Sequence, residues 1–215
     1  MEMFIDGRWA PARSGAVFDV INPATGALVD TAPESDAGDA DIAIRSADRA
    51  FQRWKTTPVA ERARLQKRAA QLMRERAETI GRVLTTELGR PLAGSISEIQ
   101  RSAELLDVYA EEGLRVHAEM PLTGIPGEKI IVTREPVGVV IAITPFNYPV
   151  TLLCFKLGAA LVAGCTVVAK PAEDTPLSTL MLAQIFHEAG FPSGCFNVVT
   201  GRGPDIGTHL IEHPI

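Results

Sequence analysis

Residues 137–170 read VGVVIAITPFNYPVTLLCFKLGAALVAGCTVVAK, and this stretch decides the fold. VGVVIAIT and TVVAK are short, wholly apolar runs, and the segment between them, VTLLCFKLGAALVAG, has a helix-like pattern. The alternation continues downstream with helix-like LSTLMLAQIFHEAG, strand-like FNVVT and a short helix from Pro204. A strand flanked by helices on both faces has no solvent side to show, so apolar strands alternating with helices predict a parallel sheet. No repeat motif is shared between these units, which makes a wound sheet the expectation rather than a solenoid. The predicted fold class is α/β, a Rossmann-like wound parallel sheet preceded by a helical segment.

Upstream, the composition changes near residue 120. Residues 121–136 hold Pro121, Gly124, Pro126 and Gly127 before KIIVTREP, a turn-rich stretch leading into one β-like run that Pro136 ends. This reads as an arm whose run pairs within the chain or offers an edge to another subunit. From Asp36 to about Glu119 helices are predicted. Ile42, Ile44, Ala47, Ala50, Phe51 and Trp54 recur at helical spacing, as do Leu65, Ala69, Leu72, Met73 and Ile80 after Pro58. Ser95 with Glu98 has the spacing of a capping box opening a third helix through Leu105, Leu106 and Tyr109. Residues 4–30 suggest short strands around turns at Gly7, Asn22-Pro23 and Gly26.

The chain has 215 residues with 46% hydrophobic and 22% charged, enough for a real core. Its 21 Lys+Arg against 26 Asp+Glu give a net charge of −5, and no basic run supplies the footprint that a phosphate backbone needs. A nucleic-acid partner is therefore not expected. The longest apolar stretch, Val137 to Phe155, is broken by Pro145, Asn147 and Pro149, so no membrane span is expected either. The start, MEMFIDGRWA, lacks the basic and apolar regions of a signal peptide, which points to the cytoplasm. Cys154, Cys165 and Cys195 are odd in number, widely spaced and unaccompanied by nearby Cys or His at metal-ligand spacing; no disulfide framework and no metal site are predicted.

In an open parallel sheet, ligands bind beyond the carboxyl ends of the strands. That rule selects ITPFNYP (Ile143 to Pro149), KPAEDTP (Lys170 to Pro176) and TGRGPDIG (Thr200 to Gly207). In the first, Asn147 is a neutral amide donor framed by two prolines, suited to a developing oxyanion or, equally, to satisfying its own turn. In the second, Lys170 and Glu173 suit the vicinal hydroxyls of a ribose, the alternative being a surface ion pair. In the third, Gly201, Gly203 and Gly207 approach a dinucleotide fingerprint but miss its final spacing.

These loops, with FKLGAAL, TVVAKPAEDTPLS, EAGFPSGCFNVVTG and NPATG, resemble the aldehyde dehydrogenase superfamily over essentially the whole chain. The resemblance implies that Asn147 lends its amide to an oxyanion hole, and that Ile143, Thr144, Pro145 and Phe146 line the nicotinamide-ribose side of the cofactor. It implies that Lys170 and Glu173 bind the adenosine ribose, that Gly203 lies beside the adenine, and that Lys156 is a helix lysine near the active site. Ala159 and Cys165 stand where members often have Pro and Asn. The implied organisation is residues 1–116 and 137–215 in the cofactor-binding domain and 117–136 as the start of an oligomerisation arm. The catalytic domain, with its nucleophilic cysteine and general-base glutamate, falls outside the chain.

The expectation is thus the amino-terminal, cofactor-binding part of an NAD(P)-dependent aldehyde dehydrogenase, inactive alone and homo-oligomeric as the full protein. Glu173 favours NAD, since a carboxylate near the 2′ position repels the extra phosphate of NADP; dual use stays open. The look is nearest to members acting on semialdehydes, and no charged residue is singled out for a substrate carboxylate. The competing expectation is a non-catalytic nucleotide-binding or oligomer-modulating protein.

Overall fold

The computed structural model describes residues 1–215, the side chain of Asp205 excepted. The chain opens with an antiparallel hairpin of β1 (Met3–Ile5) and β2 (Arg8–Ala10), turned by Asp6 and Gly7, both at positive φ. Asp-Gly meets that two-residue turn at little steric cost. A second hairpin, β3 (Val17–Ile21) with β4 (Leu28–Pro33), bends where the Asn22 side chain accepts the Ala24 N–H at 2.9 Å.

Four helices follow: α1 (Ala37–Trp54), α2 (Val59–Glu75), α3 (Ala77–Leu88) and α4 (Leu92–Gly113). A reciprocal capping box of Asp36 and Asp39 opens α1. The single helix expected after Pro58 is two, because Arg76 leaves helical geometry at φ −110, ψ 14, where neither Gly nor Pro marks the break. Ser95 and Glu98 do not form the expected capping box. Pro91 starts α4 further upstream, which puts Ser95 inside the helix against the Thr85 hydroxyl at 2.9 Å and frees the Glu98 carboxylate for another helix.

Beyond residue 136 come β5 (Val139–Ile143), α5 (Pro149–Ala163), β6 (Thr166–Lys170), α6 (Pro176–Glu188), β7 (Phe196–Val198) and α7 (Gly203–Glu212). The sheet order is β2-β1-β7-β6-β5; β5, β6 and β7 are parallel, and β1 joins β7 antiparallel through Phe4 and Val198. The wound parallel part is as predicted, and the N-terminal hairpin extends it into a mixed sheet. Strand periodicity sorts the two faces. Phe4, Ala142, Val167, Ala169, Phe196 and Val198 pack with α2 to α6, whereas Met3, Ile5, Val168 and the half-buried Val139 and Ile141 pack with α1 and α7. Both faces are covered. β5 is left as an edge, and Val137 beside it is 89% exposed.

Between α4 and β5 the backbone makes one bridge, Glu119 with Val132, reinforced by Arg134 to Glu119 at 2.8 Å. The β-like run at 129–136 forms no strand, having no second partner to continue the ladder. Leu122 is fully exposed, and Met120, Ile125 and Ile131 are largely so. No described helix is long and apolar enough to cross a membrane.

Candidate functional site

The loops after β5, β6 and β7 leave the carboxyl ends of adjacent parallel strands, and each runs into a helix with Pro in its first turn. Neither α5 nor α6 has a side-chain cap from its own N-cap residue. Glutamates from the helical layer supply it instead. Glu98 Oε1 accepts the N–H groups of Val150 and Thr151 at 3.0 and 3.1 Å, at the start of α5. Glu87 accepts those of Leu177 and Ser178 at 2.7 and 3.0 Å, at the start of α6. A carboxylate facing orphan N–H groups at a helix start gains both hydrogen bonds and favourable dipole interaction.

Both glutamates are buried, and burial sets their proton affinity. Glu87 is pushed up to about 7, the amide donors opposing only part of the desolvation. Glu98 is also raised by burial, against the pull of the same kind of N–H donors and of Arg90, which pairs with it at 2.7 Å. Neither residue was visible as a site residue in the sequence, because the helices they cap are 52 and 90 positions away.

Lys170, Glu173 and Gly203 come together. The Lys170 side chain is 3% exposed, donates to the Pro171 carbonyl at 3.0 Å and lies 3.5 Å from Glu173 Oε2. Burial lowers the Lys170 pKa, with Glu173 pulling the other way. Glu173 is 42% exposed. Burial would raise it, but its own N–H, the Lys170 charge and the Gly203 backbone together hold it below the usual carboxylate range. A Cβ at Gly203 would meet nothing within 4 Å. The Thr144 N–H donates to the Lys170 carbonyl at 3.1 Å, which ties the first loop to the second, and the buried Thr144 hydroxyl has no partner. Glu173 shares a cleft with Asp19, Asp174 and Arg202, the last 3.3 Å from Glu34.

Asn147 does not share that cleft. With Ile143 half-buried behind it and Pro145, Phe146 and Tyr148 exposed around it, Asn147 lines a separate hollow of about 600 Å³ against α4. Its other walls include Arg90, Glu98, Arg101 and Thr151. The Arg90 guanidinium lies 5.1 Å over the Tyr148 ring, in addition to its pair with Glu98. Arg101 is exposed and forms no ion pair among the described residues. It is the open cation of this hollow, one that helical periodicity alone does not aim. Lys156 Nζ reaches only the Leu152 carbonyl of its own helix, at 3.4 Å.

The three cysteines are free and buried. Burial raises the Cys154 thiol far above its ordinary value, and pushes Cys195 up to about 12. A thiol so disposed is a poor nucleophile, since attack requires the thiolate.

A parallel sheet with loops of this kind is the architecture of a dinucleotide-binding half-domain. Residues 9–215 match the model of the aldehyde dehydrogenase family, and the chain belongs to that family. It is 42% identical to a 3-sulfolactaldehyde dehydrogenase of Pseudomonas putida over 214 residues, all of this chain and 44% of that protein. It is 39% identical to an NADP(+) succinate-semialdehyde dehydrogenase of Escherichia coli, again over 100% of this chain and 44% of the relative. The crystal structure of a succinate-semialdehyde dehydrogenase from Burkholderia pseudomallei superposes with a TM-score of 0.97 at 39% identity, covering 100% of this chain and 44% of that one. The chain thus spans under half the length of these relatives.

Proposed function

We propose that the complete protein oxidises an aldehyde to a carboxylic acid with a nicotinamide dinucleotide, and that residues 1–215 contribute most of its adenosine-side cofactor contacts and one oxyanion donor. The observation carrying this reading is the junction of Lys170, Glu173 and Gly203 at the ends of β6 and β7. The residues fit such a cofactor: an ionised, half-exposed carboxylate, a glycine with open space before it, and an unpartnered Thr144 hydroxyl at the same sheet edge. When bound, the cofactor accepts the hydride. Glu173 accepts hydrogen bonds from the ribose hydroxyls while Lys170 fixes its orientation. Gly203 admits the flat base closely, and Ile143, Thr144, Pro145 and Phe146 line the nicotinamide-ribose side.

In this reading Asn147 donates its amide to the oxygen that becomes negative when a thiolate adds to the aldehyde carbon. None of Cys154, Cys165 and Cys195, all buried, is placed to be that thiolate, so in this reading the nucleophile belongs to another part of the protein. The isolated 215-residue chain is expected to turn over no aldehyde, and turnover by it would refute this assignment. The exposed arm at 117–136 is the surface through which copies associate.

Glu173 makes NAD the preferred cofactor. Arg202, on the same cleft, is the specific observation favouring NADP, a cation able to face a 2′-phosphate. Cofactor titration of the complete enzyme with Glu173→Ser decides: a shift of kcat/KM toward NADP of about tenfold, ~1.4 kcal/mol, is expected, and an unchanged ratio refutes the role of Glu173.

The substrate class is a short aldehyde carrying a distal anion. Both curated relatives act on such molecules by name, and Arg101 is the uncommitted cation in the hollow of Asn147. Arg101→Ala should raise KM for succinate semialdehyde about tenfold while leaving butanal little changed. Equal effects on both would remove Arg101 from this role.

A further inference from the structure

The far end of α7 from Gly203 carries a cluster that the dehydrogenase reading does not use. His209 and His213 are four residues apart on α7 and at its C-cap, so their rings lie on one face, with centroids 5.6 Å apart. Asp41 meets them from α1. One ligand-capable atom from each of the three lies within 4.8 Å of the others. The His213 side chain is 5% exposed, and its Nε2 is 3.0 Å from Asp41 Oδ1. His209 Nε2 is buried with no hydrogen-bond partner. An imidazole nitrogen hidden from water and left unpaired beside a second imidazole and a carboxylate is a donor set short of its acceptor.

We propose that Asp41, His209 and His213 bind one divalent transition-metal ion of the zinc type, which clasps the end of α7 to α1. Two imidazoles at i and i+4 of a helix, with a carboxylate from a neighbour, give the three protein ligands such an ion accepts, water completing the tetrahedron. With metal–ligand bonds of about 2.0–2.1 Å the donor atoms must stand about 3.3 Å apart, so closure from 4.8 Å asks only for side-chain rotation. Arg45 Nε holds Asp41 Oδ2 at 2.6 Å, leaving Oδ1 for the metal and orienting the carboxylate. Hydrogen bonds from Arg45, then His213, hold the Asp41 carboxyl down at about 2.

Without metal, the Ile215 N–H donates to His213 Nδ1 at 3.2 Å, so the ring proton sits on Nε2 facing Asp41. The metal takes the place of that proton, which moves to Nδ1, and the Ile215 N–H is released. No net proton is lost from His213. The ion would fix the far end of the helix whose first residue is Gly203, coupling the clasp to the cofactor rim through a rigid element.

The protein, stripped with a chelator, is titrated with Zn²⁺ alone by calorimetry and with Co²⁺ alone by visible absorption. One equivalent of zinc, and cobalt bands of a four-coordinate nitrogen–oxygen site, are expected. His209→Ala should weaken zinc at least about tenfold and abolish the cobalt bands. His209→Gln, which keeps helix propensity and size, should do the same with the far-ultraviolet circular dichroism unchanged. His117→Ala, in the exposed arm region, should change neither. Absence of saturable binding by the unaltered protein, or zinc affinity in both His209 variants equal to that of the unaltered protein, overturns the proposal.

Discussion

Glu87 offers the sharpest quantitative test of how the ligand loops are held. Its carboxyl is 1% exposed, accepts the first free N–H groups of α6, and is raised by burial from 4.5 to about 7. A carboxyl whose folded pKa lies above its unfolded value keeps in the native state a proton that the unfolded chain has already lost. Between pH 4.5 and 7 the native state therefore binds more protons, and stability falls as pH rises through that window. The span from 4.5 to about 7 corresponds to about 3 kcal/mol, undiminished by solvent because the group is fully enclosed. Glu98 shifts in the same direction, so the measurement must be a difference. Urea unfolding of the chain and of Glu87→Gln at pH 5 and pH 8 isolates it. The stability advantage of the unaltered chain should shrink by about 3 kcal/mol across that range, since glutamine cannot titrate. A gap that is the same at both pH values would mean that Glu87 ionises normally, and the account of α6 capping by a desolvated carboxyl would fail.

Other perturbations follow from the same geometry. In the complete enzyme Asn147→Ala should lower kcat by about 10²–10³ with KM little moved, as expected for a donor that acts on the oxyanion; steady-state kinetics with a loss confined to KM would contradict that role. Replacing the exposed Leu122 and Ile131 of the arm by glutamate should shift the complete protein to a smaller species in analytical ultracentrifugation, and an unchanged sedimentation coefficient would release the arm from subunit contact.

What was legible in the sequence was local. VGVVIAIT and TVVAK announced strands covered by helices, and β5 and β6 lie where those runs are; β6 is buried throughout, whereas β5, at the sheet edge, is only half-buried. The three strand-end loops were legible for the same reason, as was the Lys170–Glu173 pair, whose members are three residues apart. Misreadings arose where a local pattern met a distant partner. Ser95 and Glu98 have capping-box spacing, but Pro91 had already begun the helix, and the carboxylate went to Val150 and Thr151 instead. The periodicity through Arg76 concealed the break between α2 and α3. Asp41 and His213 meet across 172 residues, a contact no helical pattern on either segment encodes.

The two buried glutamates also explain why the N-terminal helices are part of the ligand site rather than a layer beside it. A serine or aspartate at position 148 or 175 could satisfy the first N–H groups of α5 or α6 with a partly solvated side chain at lower desolvation cost. Such a cap would travel with its own helix and fix nothing else. A carboxylate anchored in α3 or α4 instead ties the start of each strand-following helix, and hence the loop before it, to a separate element packed against the whole core. The loop bearing Asn147 ends where Glu98 holds α5, and the loop bearing Glu173 ends where Glu87 holds α6. The charge of Glu98 adds to the burial that raises the proton affinity of Glu87, so neutralising the anchor of α5 eases ionisation of the anchor of α6.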